Sequence, residues 1–136
     1  MDVQAVRKLD AYFKKVFGNA RLRVVPQKDN TATIYLGEDR LGELNVDDED
    51  GDLSYNFRME INLGEVRDID ALNALNTYLR RKLDNEGIRV VPRAKKRDSL
   101  EAYLGDEFIG VLFVDDEKGR QKSYILEMPI LDMDLA

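Results

Sequence analysis

Arg23-Val24-Val25-Pro26 returns as Arg89-Val90-Val91-Pro92, and on that return the fold turns. Working outward, Tyr35-Leu36-Gly37 returns as Tyr103-Leu104-Gly105, Gly42 as Gly110, and Val46-Asp47-Asp48-Glu49 as Val114-Asp115-Asp116-Glu117. Gly51 matches Gly119, Ser54-Tyr55 matches Ser123-Tyr124, and Met59 matches Met128. The offset grows from 66 to 68 to 69. The added residues fall between Pro92 and Tyr103 and after Gly119, where loops absorb length at low entropic cost. All six tyrosines pair between the copies, Tyr12 with Tyr78 completing the set. Self-similarity at a fixed period marks a repeat architecture. The 136 residues therefore read as two repeats, 1–65 and 66–136.

Each repeat opens with an amphipathic helix. Val6, Leu9, Phe13, Val16 and Phe17 keep the three-to-four spacing of one helical face, as do Ile69, Leu72, Leu75, Leu79 and Leu83. Gly18 offers a left-handed C-cap to the first helix, and Asp68 or Asp70 an N-cap to the second. Four strands then follow in each copy, near 21–25, 31–36, 41–46 and 53–63, and again near 88–91, 100–104, 108–114 and 123–131. In the fourth, Leu53, Tyr55, Phe57, Met59, Ile61 and Leu63 alternate with polar residues, the mark of a strand with one wet face. Pro26 closes the first strand, since it cannot donate to a ladder, and Asp50-Gly51 signals a hairpin. The order α-ββββ-α-ββββ predicts an α+β fold, with antiparallel meander sheets each covered by one helix. One copy alone is marginal in size, so the two are expected to pack as a pseudo-two-fold, pseudo-dimeric unit.

Composition narrows the chemistry. The chain has no Cys, His or Trp, which excludes disulfides, the usual zinc sites and imidazole- or thiol-based nucleophilic catalysis. Gly37 and Gly42, like Gly105 and Gly110, bracket a hairpin and not the strand-to-helix turn of a phosphate-binding loop. No cofactor and no enzymatic activity are expected. An acid follows the initiator Met, no apolar leader follows, and no apolar run is long enough to span a bilayer. A soluble cytoplasmic protein without membrane contact is expected.

Three longer stretches carry a family likeness. The run from Tyr103 through Gly105-Asp106-Glu107-Phe108-Ile109-Gly110 to Phe113, with Asp115-Asp116-Glu117, resembles the core of the alphaproteobacterial domain of unknown function 3126 family. Asp47 to Met59 and Ile130 to Leu135 resemble that family's next stretch and its ending. Members are typically single copies, so the resemblance implies a fused duplicate, a bacterial cytoplasmic setting and dimer-like assembly. It implies no activity. Copy 1 departs from the pattern at Arg40-Leu41-Gly42-Glu43, and copy 2 at Lys118-Gly119-Arg120-Gln121-Lys122.

Three surface features remain. Asp47, Asp48, Asp50 and Asp52 are weak candidates for Mg²⁺ or Ca²⁺, but placing Asp48 and Asp50 at EF-hand positions 3 and 5 puts Val46 at 1 and Phe57 at 12. A solvated hairpin is the expectation there, with no metal. The net charge of -6 is segregated: Arg80, Arg81, Lys82, Arg89, Arg93, Lys95, Lys96 and Arg97 stand against only Asp84 and Glu86. With Tyr35 and Tyr103 as stacking platforms, this patch suits single-stranded nucleic acid, although bases also complement a helix C-terminus and overall acidity opposes phosphate binding. Finally, period two puts Ile109, Val111 and Phe113 on one face of a strand and Phe108, Leu112 and Val114 on the other. Copy 1 has Leu41, Glu43 and Asn45 at the positions of Ile109, Val111 and Phe113. This extra apolar face, or a sheet edge, is the expected contact for a protein partner or for self-association. A non-enzymatic interaction or assembly module is the leading expectation, and a single-stranded nucleic-acid binder the alternative.

Overall fold

The computed structural model describes residues 1–48, 52–93, 98–118 and 121–135, with the backbone alone for 116–118. Helix α1 (Val3–Phe17) is followed by strands β1 (Leu22–Pro26), β2 (Thr31–Leu36), β3 (Asp39–Asp47) and β4 (Ser54–Glu65). A short 3-10 turn, Asp68–Asp70, leads into α2 (Ala71–Lys82). Then come β5 (Ile88–Pro92), β6 (Ser99–Leu104), β7 (Glu107–Lys118), β8 (Gln121–Leu131) and a closing 3-10 turn, Asp132–Leu135. The fold is α+β, and its strands belong to one antiparallel sheet in the order β1-β2-β3-β4-β8-β7-β6-β5. Two compact units divide it. One is Met1–Arg58 with Pro129–Ala136, and the other is Met59–Met128.

In the first unit, α1 starts where the Asp2 carboxylate accepts the Gln4 N–H at 2.8 Å and ends at Gly18, whose φ of 61° is left-handed. Its buried stripe is Leu9, Phe13 and Phe17, with the Phe13 ring 5.3 Å from Phe57 of β4. In the second unit, Leu75, Leu79 and Leu83 of the helix segment are buried, as are Ile88, Val90, Leu112 and Leu126 of the sheet. Burying such a side chain contributes roughly 1.5–3 kcal/mol, so these stripes hold each helix on its sheet. Ile69 falls outside its predicted stripe: it sits exposed in the 3-10 turn, before α2 begins. Neither expected N-cap forms at α2. Asp70 makes no capping bond, and the Asp68 carboxylate goes to Lys122.

Both repeats carry the same bulge. Ile34 pairs with Gly42 and Tyr35 with Arg40, so Leu41 is the extra residue; Ala102 pairs with Gly110 and Tyr103 with Phe108, so Ile109 is the extra residue. An unpaired residue shifts the alternation by one. Phe108 therefore shares a face with Val111 and Phe113, and not with Leu112 as strict period two predicts. Both bulges precede a close approach. A Cβ on Gly42 would lie 2.3 Å from the Arg58 carbonyl oxygen, and one on Gly110 2.5 Å from that of Glu127. Only glycine allows β3 and β7 to lie against their neighbours here, which accounts for that repeated residue.

Candidate interaction surfaces

Strands β1 and β5 are the edges of the sheet, and an open edge is a ready template for another chain. Both are closed. On β5, the Asn76 side chain of α2 accepts the Val90 N–H at 2.8 Å and donates to the Val90 carbonyl at 3.2 Å. Arg80 Nε donates to the Ile88 carbonyl at 2.7 Å, and Pro92 has no N–H to offer. On β1, the Asp10 carboxylate of α1 accepts the Val24 N–H at 3.1 Å, the Leu22 N–H reaches the Asn19 carbonyl, and Pro26 ends the row. Asp10 is also ion-paired with Lys14 one turn on. Pro26 and Pro92 are inside their strands, against expectation, because an edge position needs no inward donor. In each unit a helix side chain mimics the missing neighbouring strand.

The sheet face away from the helix differs between the units. Ladder partners share a face, so three rungs can be read directly. In the first unit they are Arg23–Tyr35–Arg40, Val25–Thr33–Glu43–Arg58 and Thr31–Asn45–Asn56. In the second they are Arg89–Tyr103–Phe108, Val91–Glu101–Val111–Glu127 and Ser99–Phe113–Ile125. Arg40, Glu43 and Asn45 are thus replaced by Phe108, Val111 and Phe113. Phe108 is 48% exposed and Phe113 40%, with Val111 half-buried between them. Ile109, expected to join this face, is only 7% exposed, because the bulge turns it inward. Phe108 takes its place. The sequence signal for this was the Gly42–Gly110 match, which places an identical irregularity in both strands.

The expected nucleic-acid residues are distributed among structural roles. Arg89 stacks on Tyr103, its guanidinium carbon 5.0 Å from the ring centre, and its Nε donates to the Gly105 carbonyl at 3.0 Å. Arg23, Tyr35 and Gly37 repeat this at 4.8 Å and 3.0 Å. One ring face of each tyrosine is therefore occupied by a guanidinium, and Phe108 packs edge-on to Tyr103, ring centres 5.8 Å apart. The Tyr103 hydroxyl donates to Glu101 at 2.8 Å, and that bond pushes its pKa up. Arg80 holds the Ile88 carbonyl and Arg93 the Ser99 hydroxyl. Arg81 is exposed, and Lys82 is half-buried in the last turn of α2, where bases suit the helix dipole. Lys95, Lys96 and Arg97 lie outside the described residues.

Of the acidic candidates, Asp47, Asp48 and Asp52 are exposed, and Asp50 lies outside the described residues. No cluster of three potential ligands occurs among the described residues. Two other acids make specific contacts. The Tyr55 hydroxyl donates to Asp132 at 3.2 Å; burial, then the nearby carboxylate, push that tyrosine's pKa up. Asp68 is paired at 2.5 Å with Lys122, whose side chain is only 3% exposed, and that hydrogen bond holds the carboxyl below its usual range. Lys122 entered the sequence reading only as part of the copy 2 hairpin departure, and its burial went unread. Its signal is the 69-residue offset, which sets it on apolar Leu53. No helix among the described residues is long and apolar enough to cross a membrane.

No curated protein and no solved structure matches the chain. A family model does, and it does so twice: the one described as a protein of unknown function, DUF3126, matches residues 5–63 and again 71–134. The two matched segments coincide with the two helix-and-meander repeats, and the chain belongs to the DUF3126 family as a tandem duplication of its domain.

Proposed function

We propose that this chain is a non-enzymatic interaction module that binds a protein partner, or a second copy of itself, through the second repeat's outer sheet face. The observation that carries the reading is the replacement of Arg40, Glu43 and Asn45 by Phe108, Val111 and Phe113 on one ladder. Contiguous apolar surface on a small domain is a frequent mark of a contact site. Arg23 and Arg89 stack on one face of Tyr35 and Tyr103, and Arg80 and Arg93 hold the Ile88 carbonyl and the Ser99 hydroxyl, which favours the interaction reading over a single-stranded nucleic-acid binder. The closed edges at β1 and β5 turn the choice from edge to face. A cytoplasmic setting fits the absence of cysteine.

The test is Val111→Glu, which sets a charge in the middle of the patch and restores repeat 1's residue. Light scattering over a dilution series, with affinity capture from the native cell, reads the outcome. Loss of a concentration-dependent dimer, or loss of a stoichiometric partner, is expected. An unchanged mass together with unchanged capture overturns the reading.

A further inference from the structure

An open groove of about 460 Å³ runs along one flank of α2, with Asn62 and Leu63 at the end of β4 on its other side. Helix geometry sets two rows of side chains in it. Asn73, Thr77 and Arg81 follow one another four residues apart, about 6 Å along the axis. Asp70, Ala74 and Tyr78 form the neighbouring row, in which the alanine leaves a notch between two longer side chains. The repeat shows how this flank differs from that of α1. Tyr78 and Arg81 match Tyr12 and Lys15, but Asn73, Ala74 and Thr77 stand where repeat 1 has Arg7, Lys8 and Ala11, and Asn62 matches Leu131. Two cations and a leucine are thus exchanged for two amides and a methyl, and a hydroxyl is added.

These groups have hydrogen-bonding capacity to spare. Among the described residues, the side chains of Asn73, Thr77, Tyr78 and Arg81 make no hydrogen bond or ion pair within the chain. Asn62 uses its oxygen on the Gly64 N–H at 2.9 Å, which leaves its amide donors. The two charges stand at opposite ends of α2, about 16 Å apart along the axis. Asp70 is paired with Arg67 at 2.8 Å, and Arg81 is offset by the negative end of the helix. An ion of either sign therefore meets at most one opposite charge, already compensated. Between them lie neutral donors and acceptors beside an aromatic ring. Hydroxyl groups, each both donor and acceptor, match such a row, and the C–H face of a sugar ring matches the tyrosine.

We propose that this groove binds a short neutral saccharide, its hydroxyls bonded to Asn62, Asn73, Thr77 and Arg81 and one sugar ring laid against Tyr78. The volume falls in the range of small-molecule sites, roughly 300–1,000 Å³. Phe108, Val111 and Phe113 take no part in it, so the site does not depend on the interaction reading above.

Maltose, cellobiose and diacetylchitobiose are the probes, titrated singly into the full chain and followed by amide chemical shifts, with sodium phosphate as the anionic control. At least one disaccharide should saturate with a millimolar Kd, shifting residues 62–63 and 70–81 and leaving residues 4–15 of α1 unmoved. Two variants import repeat 1's residues. Ala74→Lys fills the notch and should weaken binding at least about tenfold. Thr77→Ala removes one hydroxyl and should weaken it about fivefold, the range for a single hydrogen bond. Lysine and alanine are both good helix formers, and Thr77 is exposed, so the urea midpoint of Thr77→Ala should not fall. The proposal is overturned if none of the three disaccharides saturates at tens of millimolar, if phosphate binds the groove as tightly as the disaccharide, or if saccharide binding is unchanged in Thr77→Ala and Ala74→Lys.

Discussion

On the sheet face away from the helix, repeat 1 presents Arg40, Glu43 and Asn45, with Glu43 across from Arg58; repeat 2 presents Phe108, Val111 and Phe113, with Phe113 across from Ile125. Beneath that difference the scaffolds agree closely. Both have the bulge at Leu41 or Ile109, the glycine that follows it, the arginine stacked on a tyrosine, and a helix side chain closing the edge. The residues that set backbone geometry are common to both repeats, whereas the outer face and the groove along the helix differ. A lone repeat must solve edge closure and helix docking by itself. Two fused repeats can keep those solutions and give one sheet face a separate task.

The shared scaffold is where the largest effects are expected. Gly42→Ala and Gly110→Ala each force a methyl into a carbonyl at under 3 Å, and each should cost about 3 kcal/mol by urea denaturation, as overpacked sites do. A large inequality would break the equivalence of the two bulges. Edge closure comes next. Asn76→Ala removes both bonds to Val90 and should cost about 2 kcal/mol, while Asp10→Ala removes one bond to Val24 and should cost about 1 kcal/mol. Equal costs would show that the two helices do not close their edges in these different ways.

The acid–base comparison is smaller. Asp68 has its pKa lowered by Lys122, so its contribution to stability is fully present above the unfolded carboxyl value, about 3.9. It falls away as pH drops through the still lower folded value. The stability difference between wild type and Asp68→Asn should therefore shrink on acidification below about pH 4, as read by urea midpoints. A difference that grows on acidification contradicts the pair. Smallest of all is Phe113→Asn, which imports repeat 1's residue at an exposed position and should change stability by less than about 1 kcal/mol. A larger loss would mean that Phe113 serves the core and not a contact.

Much of this was legible in the sequence. The tyrosine pairs and the Arg-Val-Val-Pro returns carried the duplication, hydrophobic spacing carried the helices and the fourth strand, and turn residues and the repeat carried the other strands. The apolar excess of repeat 2 was visible at Val111 and Phe113. What escaped was set by backbone irregularity and by long-range partners. Period-two alternation has no place for an unpaired residue, so Ile109 was assigned outward and Phe108 away from it. Asp10 and Asn76 carry no signal in the sequence, because their partners at Val24 and Val90 are 14 residues away. Arg89 reads as part of the basic patch, although it is spent on the Tyr103 ring and a turn carbonyl.

The central claim, that the outer face of repeat 2 makes a contact that the outer face of repeat 1 does not, is tested most directly by site-specific photo-crosslinking. A benzophenone side chain is placed at Phe113 in one version of the chain and at the matching Asn45 in another, and both are irradiated in the native cell. A discrete adduct from position 113, with none from position 45, is the expected result. Equal adducts from both positions, or none from 113, would contradict the claim.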